Sequence, residues 1–141
     1  SWITILRKRE AYRSAFANFD VHRVVAFDEQ DIERLVNDAG IVRNRLKIAS
    51  AISNARLFID IQKEFGSFSN YFWSYVDNQA IVNRWANHSE IPAATELSDL
   101  IASDMKKRGF KFFGSTICYA YMQAMGLVND HTLNCFRYSQ C

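Results

Sequence analysis

The sequence predicts an all-α domain, and three observations carry that prediction. Only five glycines and one proline occur in 141 residues, too few turn formers for a sandwich or barrel of many short strands. Apolar side chains recur at i, i+3 and i+4 along much of the chain, the period of a helix with one buried face. Finally, 49% of the residues are apolar and 14% aromatic. A chain of this size buries about two-thirds of the surface it exposes when unfolded, so a true core forms and disorder is excluded as the main state.

The elements follow in order. From about Thr4 to Phe19, Ile5, Leu6, Tyr12, Ala15, Phe16 and Phe19 define the inner face of a helix with a basic outer face. Asp20 is placed to cap a short helix over Val21 to Phe27. Asp28 starts the next, with Ile32, Leu35 and Val36 on one face and an acidic first turn that suits the helix dipole. Gly40 stops it. A long helix restarts near Val42 and runs to about Glu64, with Ile48, Ile52, Ala55 and Ile59 on one stripe and Gly66 as its end. Phe68 to Val76 forms one or two helical turns, and Asp77 to Pro92, with no clean period, wraps the surface. Thr95 or Ser98 caps a helix carrying Leu97, Leu100, Ile101 and Met105. It closes on Lys106, Lys107, Arg108 and then Gly109, a basic last turn followed by a C-terminal glycine. Gly114 and Ser115 open the last clear helix, with Ile117, Ala120, Tyr121, Ala124 and Met125 inward and Gly126 as stop. Leu127 to Cys141 is irregular or one more helix. No repeat or linker interrupts the chain, which reads as one domain over residues 1–141.

Charge is nearly balanced, with 17 basic against 15 acidic residues and a net +2. Binding to nucleic acid by bulk charge alone is excluded; distribution matters more. Arg7, Lys8, Arg9 and Arg13 cluster, as do Arg43, Arg45 and Lys47, and Lys106, Lys107, Arg108 and Lys111. Asp28 to Asp38 runs the other way, with five acids and one Arg. The three cysteines, Cys118, Cys135 and Cys141, are too few and too scattered for a disulfide framework and suit a reducing, cytoplasmic setting. The longest uncharged run, Phe112 to Asn129, carries Gly, Ser, Thr, Gln and Asn. It falls short of the predominantly apolar stretch a membrane helix needs, so no span is expected. The chain opens on Ser1 and an apolar run, Trp2 to Leu6, as though entered partway through.

The hairpin at Gly40 is the first feature with chemical content. Two helices meet at a turn built on Ala39, Gly40 and Ile41. Glycine permits a positive φ and a close approach of another backbone. Backbone N–H groups at the start of the second helix then face outward, ready for an anion, and Arg43, Arg45 and Lys47 follow at once. That is the logic of a helix-hairpin-helix, spanning about residues 28–64, that grips a DNA phosphate without reading sequence. An ordinary helical hairpin with solvated basic residues is the other reading.

Three stretches carry a family resemblance: Ser1 to Tyr12 (SWITILRKREAY), Lys107 to Tyr119 (KRGFKFFGSTICY) and Met122 to His131 (MQAMGLVNDH). Together with the hairpin they resemble the DNA-3-methyladenine glycosylase I family, of the helix-hairpin-helix glycosylase superfamily, over essentially the whole chain. The resemblance implies a monomeric, monofunctional N-glycosyl hydrolase of base excision repair. Its substrate is 3-methyladenine in double-stranded alkylated DNA, and its setting is a bacterial-type cytoplasm, at the nucleoid when it acts. It implies DNA contacts at Gly40, Ile41, Arg43, Arg45 and Lys47, and base stacking on Trp2. It also implies that a pocket Glu, a pocket Tyr and two zinc ligands, a Cys and a His, precede Ser1. The chain is then N-terminally incomplete and, on its own, a poor enzyme. How strictly 3-methyladenine is preferred over 3-methylguanine stays open.

Each of these residues also has a plainer reading. Trp2 as a core residue opening a helix is the alternative to base stacking. His131 and Cys135 stand at i, i+4, which on a helical turn puts both on one side and offers half of a tetrahedral zinc set. The family pairs these positions with its upstream Cys and His as a structural zinc site, and Cys141 is a third potential ligand here. Asp60 follows Gly40 at about the distance where other helix-hairpin-helix glycosylases carry a catalytic Asp. This family does not use one there, and a solvated helix residue is expected. Cys118 is expected to be buried, His22 and His88 to be on the surface. Phe68, Tyr71, Phe72, Trp73 and Tyr75 line either the base pocket or the core. The helix terminus alone explains Lys106 to Arg108, and a phosphate contact there is an alternative. Two other functions remain in play: a non-catalytic helix-hairpin-helix DNA-binding module, and an inactive remnant.

Overall fold

The computed structural model describes residues 2–135 together with Arg137 and Ser139. Its elements are α1 (Trp2–Arg7), α2 (Arg9–Ala15), α3 (Val21–Val24), α4 (Glu29–Val36), α5 (Arg45–Phe65), α6 (Phe68–Ser74), β1 (Ile81–Val82), α7 (Glu96–Lys107), α8 (Ser115–Ala124) and β2 (Val128–Asn129). The fold is mostly helical, as the sequence predicts. Among the described residues no helix is long and apolar enough to cross a membrane. Backbone contacts divide the chain into two compact units, Ser1–Glu64 with Gly109–Phe112, and Phe65–Arg108 with Phe113–Cys141.

The first unit is built on α2 to α5. The Asp20 carboxylate accepts the N–H groups of His22 and Arg23 and starts α3. Asp28 and Asp31 form a reciprocal capping box at the start of α4, satisfying N–H groups the helix itself leaves unpaired. Leu35 and Ile41 are buried with Phe16, Val24, Ile48 and Ile52, each such side chain worth about 1.5–3 kcal/mol on removal from water. Two expectations at the N-terminal end fail. The predicted helix from Thr4 to Phe19 is broken at Lys8 and ends in a single 3₁₀ turn over Ala17–Phe19, where Asn18 has φ 59°. Leu6 and Phe19 are exposed, and α1 buries none of its residues.

The second unit gathers α6, α7 and α8. Thr95 and Ser98, alternative caps in the sequence, form the two halves of one capping box on α7. Gly66 and Gly109 sit at φ +88° and +105°, ending α5 and α7 in the left-handed geometry expected of such glycines. The ring of Tyr71 packs against Phe65, Phe68, Phe72 and Tyr75, and Tyr71 and Phe72 are fully buried. The Arg108 guanidinium lies over the rings of Phe65 and Tyr71 at 5.3 and 5.2 Å. The inward face of α8 differs from the prediction: Cys118, Tyr119 and Met122 are buried, while Ile117 and Met125 are exposed. A two-stranded parallel pairing of β1 with β2, Ile81 opposite Val128, is invisible to periodicity because each strand has two residues.

Candidate functional site

The hairpin is in the first unit. α4 ends at Val36, and Asp38 to Asn44 make the turn before α5 begins at Arg45, somewhat later than the restart near Val42 that periodicity suggests. Asn44 starts α5, its side-chain oxygen accepting the N–H of Lys47 at 3.1 Å. Gly40 is needed here for a different reason from the one expected. Its φ is not positive. A Cβ on it would lie 2.9 Å from the Cβ of Ala11 and 3.0 Å from Asp38 Oδ1. Glycine is required because α2 and the Asp38 side chain occupy that space.

The outward-facing N–H groups are likewise replaced by internal partners. Gly40 N–H donates to Asp38 Oδ1 at 2.7 Å and Ile41 N–H to the Asp38 carbonyl at 3.3 Å. Val42 N–H donates to the Tyr12 hydroxyl at 3.0 Å. Lys8 Nζ donates to the Ala39 carbonyl at 3.3 Å. Ala11 and Tyr12 of α2, with Lys8 at its N-cap, support the whole turn. Sequence reasoning misses the Asp38 and Tyr12 contributions. The Asp-x-Gly spacing carries the signal for the first, because an Asp side chain commonly bonds the N–H two residues on; nothing local signals Tyr12.

Of the basic residues after the turn, Arg43 and Lys47 are exposed. Arg45 is held by two carboxylates of α4, pairing with Glu33 and, at 3.5 Å, with Glu29. Ile41 contributes a buried side chain to the core and is 2% exposed. Trp2 is 83% exposed, so its indole is open to solvent. Asp60 is exposed, in line with the plainer reading.

The second unit carries a different constellation. Asp130 is buried and accepts from four side chains: Asn83 Nδ2 at 2.6 Å, Trp85 Nε1 at 2.7 Å, Gln123 Nε2 at 3.1 Å, and the Tyr119 hydroxyl. Burial alone would push its carboxyl up. The donors from Tyr119, Trp85, Asn83 and Gln123 outweigh burial and hold it below the usual carboxylate range. Tyr119 is shifted up by the same burial and by its bond to Asp130. Nothing in the sequence points to this hub, whose members are separated by up to 47 positions.

His131 and Cys135 follow directly. They are not on a helix but on a turn in which Cys135 N–H donates to the Thr132 carbonyl at 2.9 Å. His131 Nδ1 and Cys135 Sγ stand 3.7 Å apart. That contact is a thiol–imidazole hydrogen bond; two ligands of one tetrahedral zinc, at about 2.05 Å for nitrogen and 2.3 Å for sulfur, are separated by about 3.6 Å, a similar distance. Both line a cavity of about 420 Å³ with His88, Gln123, Val128 and Asp130. Among the described residues no third His, Cys, Asp or Glu completes a metal cluster with them; Cys141 lies outside the described residues. The Cys118 thiol, fully buried, is pushed up to about 11 by burial and stays protonated.

Comparison with known proteins places this arrangement. Residues 1–138 match the family described as methyladenine glycosylase. The chain is 50% identical over 138 residues to DNA-3-methyladenine glycosylase 1 of Escherichia coli (strain K12), spanning 98% of this chain and 74% of that protein. It is 41% identical over 135 residues to DNA-3-methyladenine glycosylase of Haemophilus influenzae, spanning 96% and 73%. A crystal structure of 3-methyladenine DNA glycosylase I superposes with a TM-score of 0.87 at 50% identity, covering 96% of this chain and 75% of that one.

Proposed function

From the premise that the chain belongs to the methyladenine glycosylase family, we propose the reaction and the role of each residue that follow. The protein is a DNA-3-methyladenine glycosylase of base excision repair: it hydrolyses the N-glycosidic bond of 3-methyladenine in alkylated DNA. The observation that carries this reading is 50% identity to a glycosylase of that name over 98% of the chain. A non-catalytic DNA-binding module is not favoured, because the likeness extends far beyond the hairpin.

The substrate duplex is double-stranded, and the protein acts on it as a monomer inside the cell. The target atom is hidden in the duplex, so the nucleotide is turned out of the stack before reaction. Alkylation at N3 makes the adenine a cation on a weakened bond. The protein therefore needs an aromatic face and exclusion of bulk water more than a strong acid. The exposed indole of Trp2 supplies that face, stacking on the cationic base. The C1′–N9 bond breaks with its electron pair going to the cationic base, which leaves neutral; water adds to the oxocarbenium-like C1′ and its extra proton passes to solvent. Arg43, Arg45 and Lys47 hold the backbone of the damaged strand; Gly40 and Ile41, whose N–H groups are bonded within the turn, serve by shaping the hairpin that presents them. For Arg45 this means sharing its guanidinium between a phosphate and the two carboxylates of α4.

Zinc fits the residues present on one observation, the 3.7 Å separation of His131 Nδ1 and Cys135 Sγ. A zinc ion there is structural, tying the chain together at the His131–Cys135 turn. Metal analysis after dialysis against a mild chelator tests it: with half a ligand set this chain should hold zinc only weakly, a version with the upstream Cys and His restored should hold it tightly, and stoichiometric zinc in this chain would mean that the ligands are miscounted.

The reaction itself is tested through Trp2. Base–aromatic stacking is worth about 1–3 kcal/mol, so Trp2→Ala should slow release of 3-methyladenine about 5- to 150-fold. Binding to undamaged duplex should stay within about twofold of the parent. An unchanged rate of release would take Trp2 out of the site.

A further inference from the structure

Residues Gly109–Phe112 follow α7 but belong to the first unit. They are fastened to α5 by an unusual amount of specific bonding for so short an excursion. Asn54 uses both ends of its amide on one residue: Nδ2 donates to the Lys111 carbonyl at 2.8 Å, and Oδ1 accepts the Lys111 N–H at 3.0 Å. Phe110 is buried beneath. Gly109, at φ +105°, passes over Leu57, which a Cβ there would meet at 3.4 Å.

What this clamp holds out to solvent is odd. Phe112 has φ +58°, a left-handed conformation that costs a bulky residue and persists only where its surroundings impose it. Its ring is nevertheless half exposed, at 50%. A turn with no other duty is served better by glycine or asparagine. The Lys47 ammonium lies 5.6 Å from the ring centroid, and Lys111 beside it is exposed. Among the described residues neither lysine is in an ion pair. An aromatic ring with one lysine over its face and a second exposed lysine next to it in the chain is therefore displayed on the unit that carries the hairpin, next to the first turn of the helix the hairpin leads into.

We propose that Lys111 and Phe112, with Lys47, form a second DNA-contact element beside the hairpin. Lys47 and Lys111 take phosphates, and the Phe112 ring packs on the deoxyribose between them. Asn54 is a positioning residue that fixes the element on α5. The chemistry is that of a nucleic-acid backbone, polyanionic with an apolar sugar face, and it is indifferent to sequence. The proposal rests on the reading that this protein acts on DNA.

The test is equilibrium binding of the protein to an undamaged labelled duplex across a salt series. Lys111→Ala should weaken binding at every sequence and reduce the slope of log K against log salt by about one. Phe112→Gly removes the ring and also relieves the backbone, so it separates function from folding. Its affinity should fall about fivefold, the worth of a modest apolar contact, with the salt slope unchanged and thermal stability equal to or above the parent. Gly40→Asp is the reference, because it breaks the hairpin itself. If Gly40→Asp loses binding while Lys111→Ala and Phe112→Gly bind as the parent does, the second element is overturned and the DNA reading stands; the patch is then left to a protein partner. If the parent binds no duplex, both fall.

Discussion

Replacing Gly40 by Ala probes the support of the hairpin most directly. The added Cβ would sit 2.9 Å from Ala11 Cβ and 3.0 Å from Asp38 Oδ1, against about 3.5–4.0 Å for carbon atoms in good contact. Neither neighbour yields easily. Ala11 Cβ is fixed to the backbone of α2, and Asp38 is held by the Gly40 N–H at 2.7 Å. The turn must move, which for an overpacked site costs about 1–3 kcal/mol. Ala11→Gly removes one of the two obstructing atoms at about 0.5–1 kcal/mol of helix propensity. The double variant should therefore be more stable than the sum of the two single changes by about 1 kcal/mol, a coupling within the range for residues in contact. Urea denaturation of the four proteins measures this cycle, and binding to a labelled duplex follows the functional consequence. Gly40→Ala should weaken DNA binding, with Ala11→Gly restoring part of it. Strict additivity of the two stability changes would refute the steric argument. So would a Gly40→Ala protein within about 0.5 kcal/mol of the parent, the small change expected of a surface substitution that meets no obstruction.

Other changes have equally definite outcomes. Ser50, 3% exposed on α5, has a hydroxyl with no hydrogen-bond partner among the described residues; Ser50→Ala should raise stability by about 1 kcal/mol in the same urea assay, and a loss would mean the hydroxyl is satisfied in solution. Asp130→Asn weakens a carboxylate acceptor shared by four donors and should cost about 2–4 kcal/mol, visible as a lowered denaturation midpoint. Asp31 is held below the usual carboxylate range by the Asp28 N–H, with Arg34 adding to it. A depressed carboxyl contributes stability that is present above its unfolded value, about pH 4, and is lost as pH falls through the folded value. Asp31→Asn should therefore shrink the loss of stability below about pH 4, and an unchanged acid limb would contradict the assignment.

The parts of this molecule that sequence reading recovers are those with local causes. Asp20, Asp28, Thr95 and Ser98 cap helices through their immediate neighbours, and Gly66 and Gly109 end them for a reason contained in one residue's φ. The hairpin is legible, but the reason for its glycine is not, because the obstructing Ala11 Cβ belongs to a helix far back in the chain and only packing reveals it. The inner face of α8 is misread because almost every residue on it is apolar or aromatic, so periodicity offers no contrast between Ile117, which is exposed, and Cys118, which is buried. Arg45 reads as a free cation in a basic run. Its pairing with Glu29 and Glu33 depends on how α4 and α5 are juxtaposed. The Asp130 hub draws on three separate stretches, and no window of sequence contains it. For His131 and Cys135 the spacing is legible and the local backbone is not; a turn, rather than a helix, brings them to a metal-like separation.

The measurement that bears most directly on the central claim is chromatographic detection of free base after incubation of the protein with methylated duplex DNA. The account predicts slow release of 3-methyladenine by this chain, rising to many turnovers when a segment carrying the pocket Glu and Tyr that the family resemblance implies is joined before Ser1, with no normal base released from the same DNA. Tight binding to the duplex with no 3-methyladenine in the soluble fraction would contradict it and leave a DNA-binding protein without the reaction.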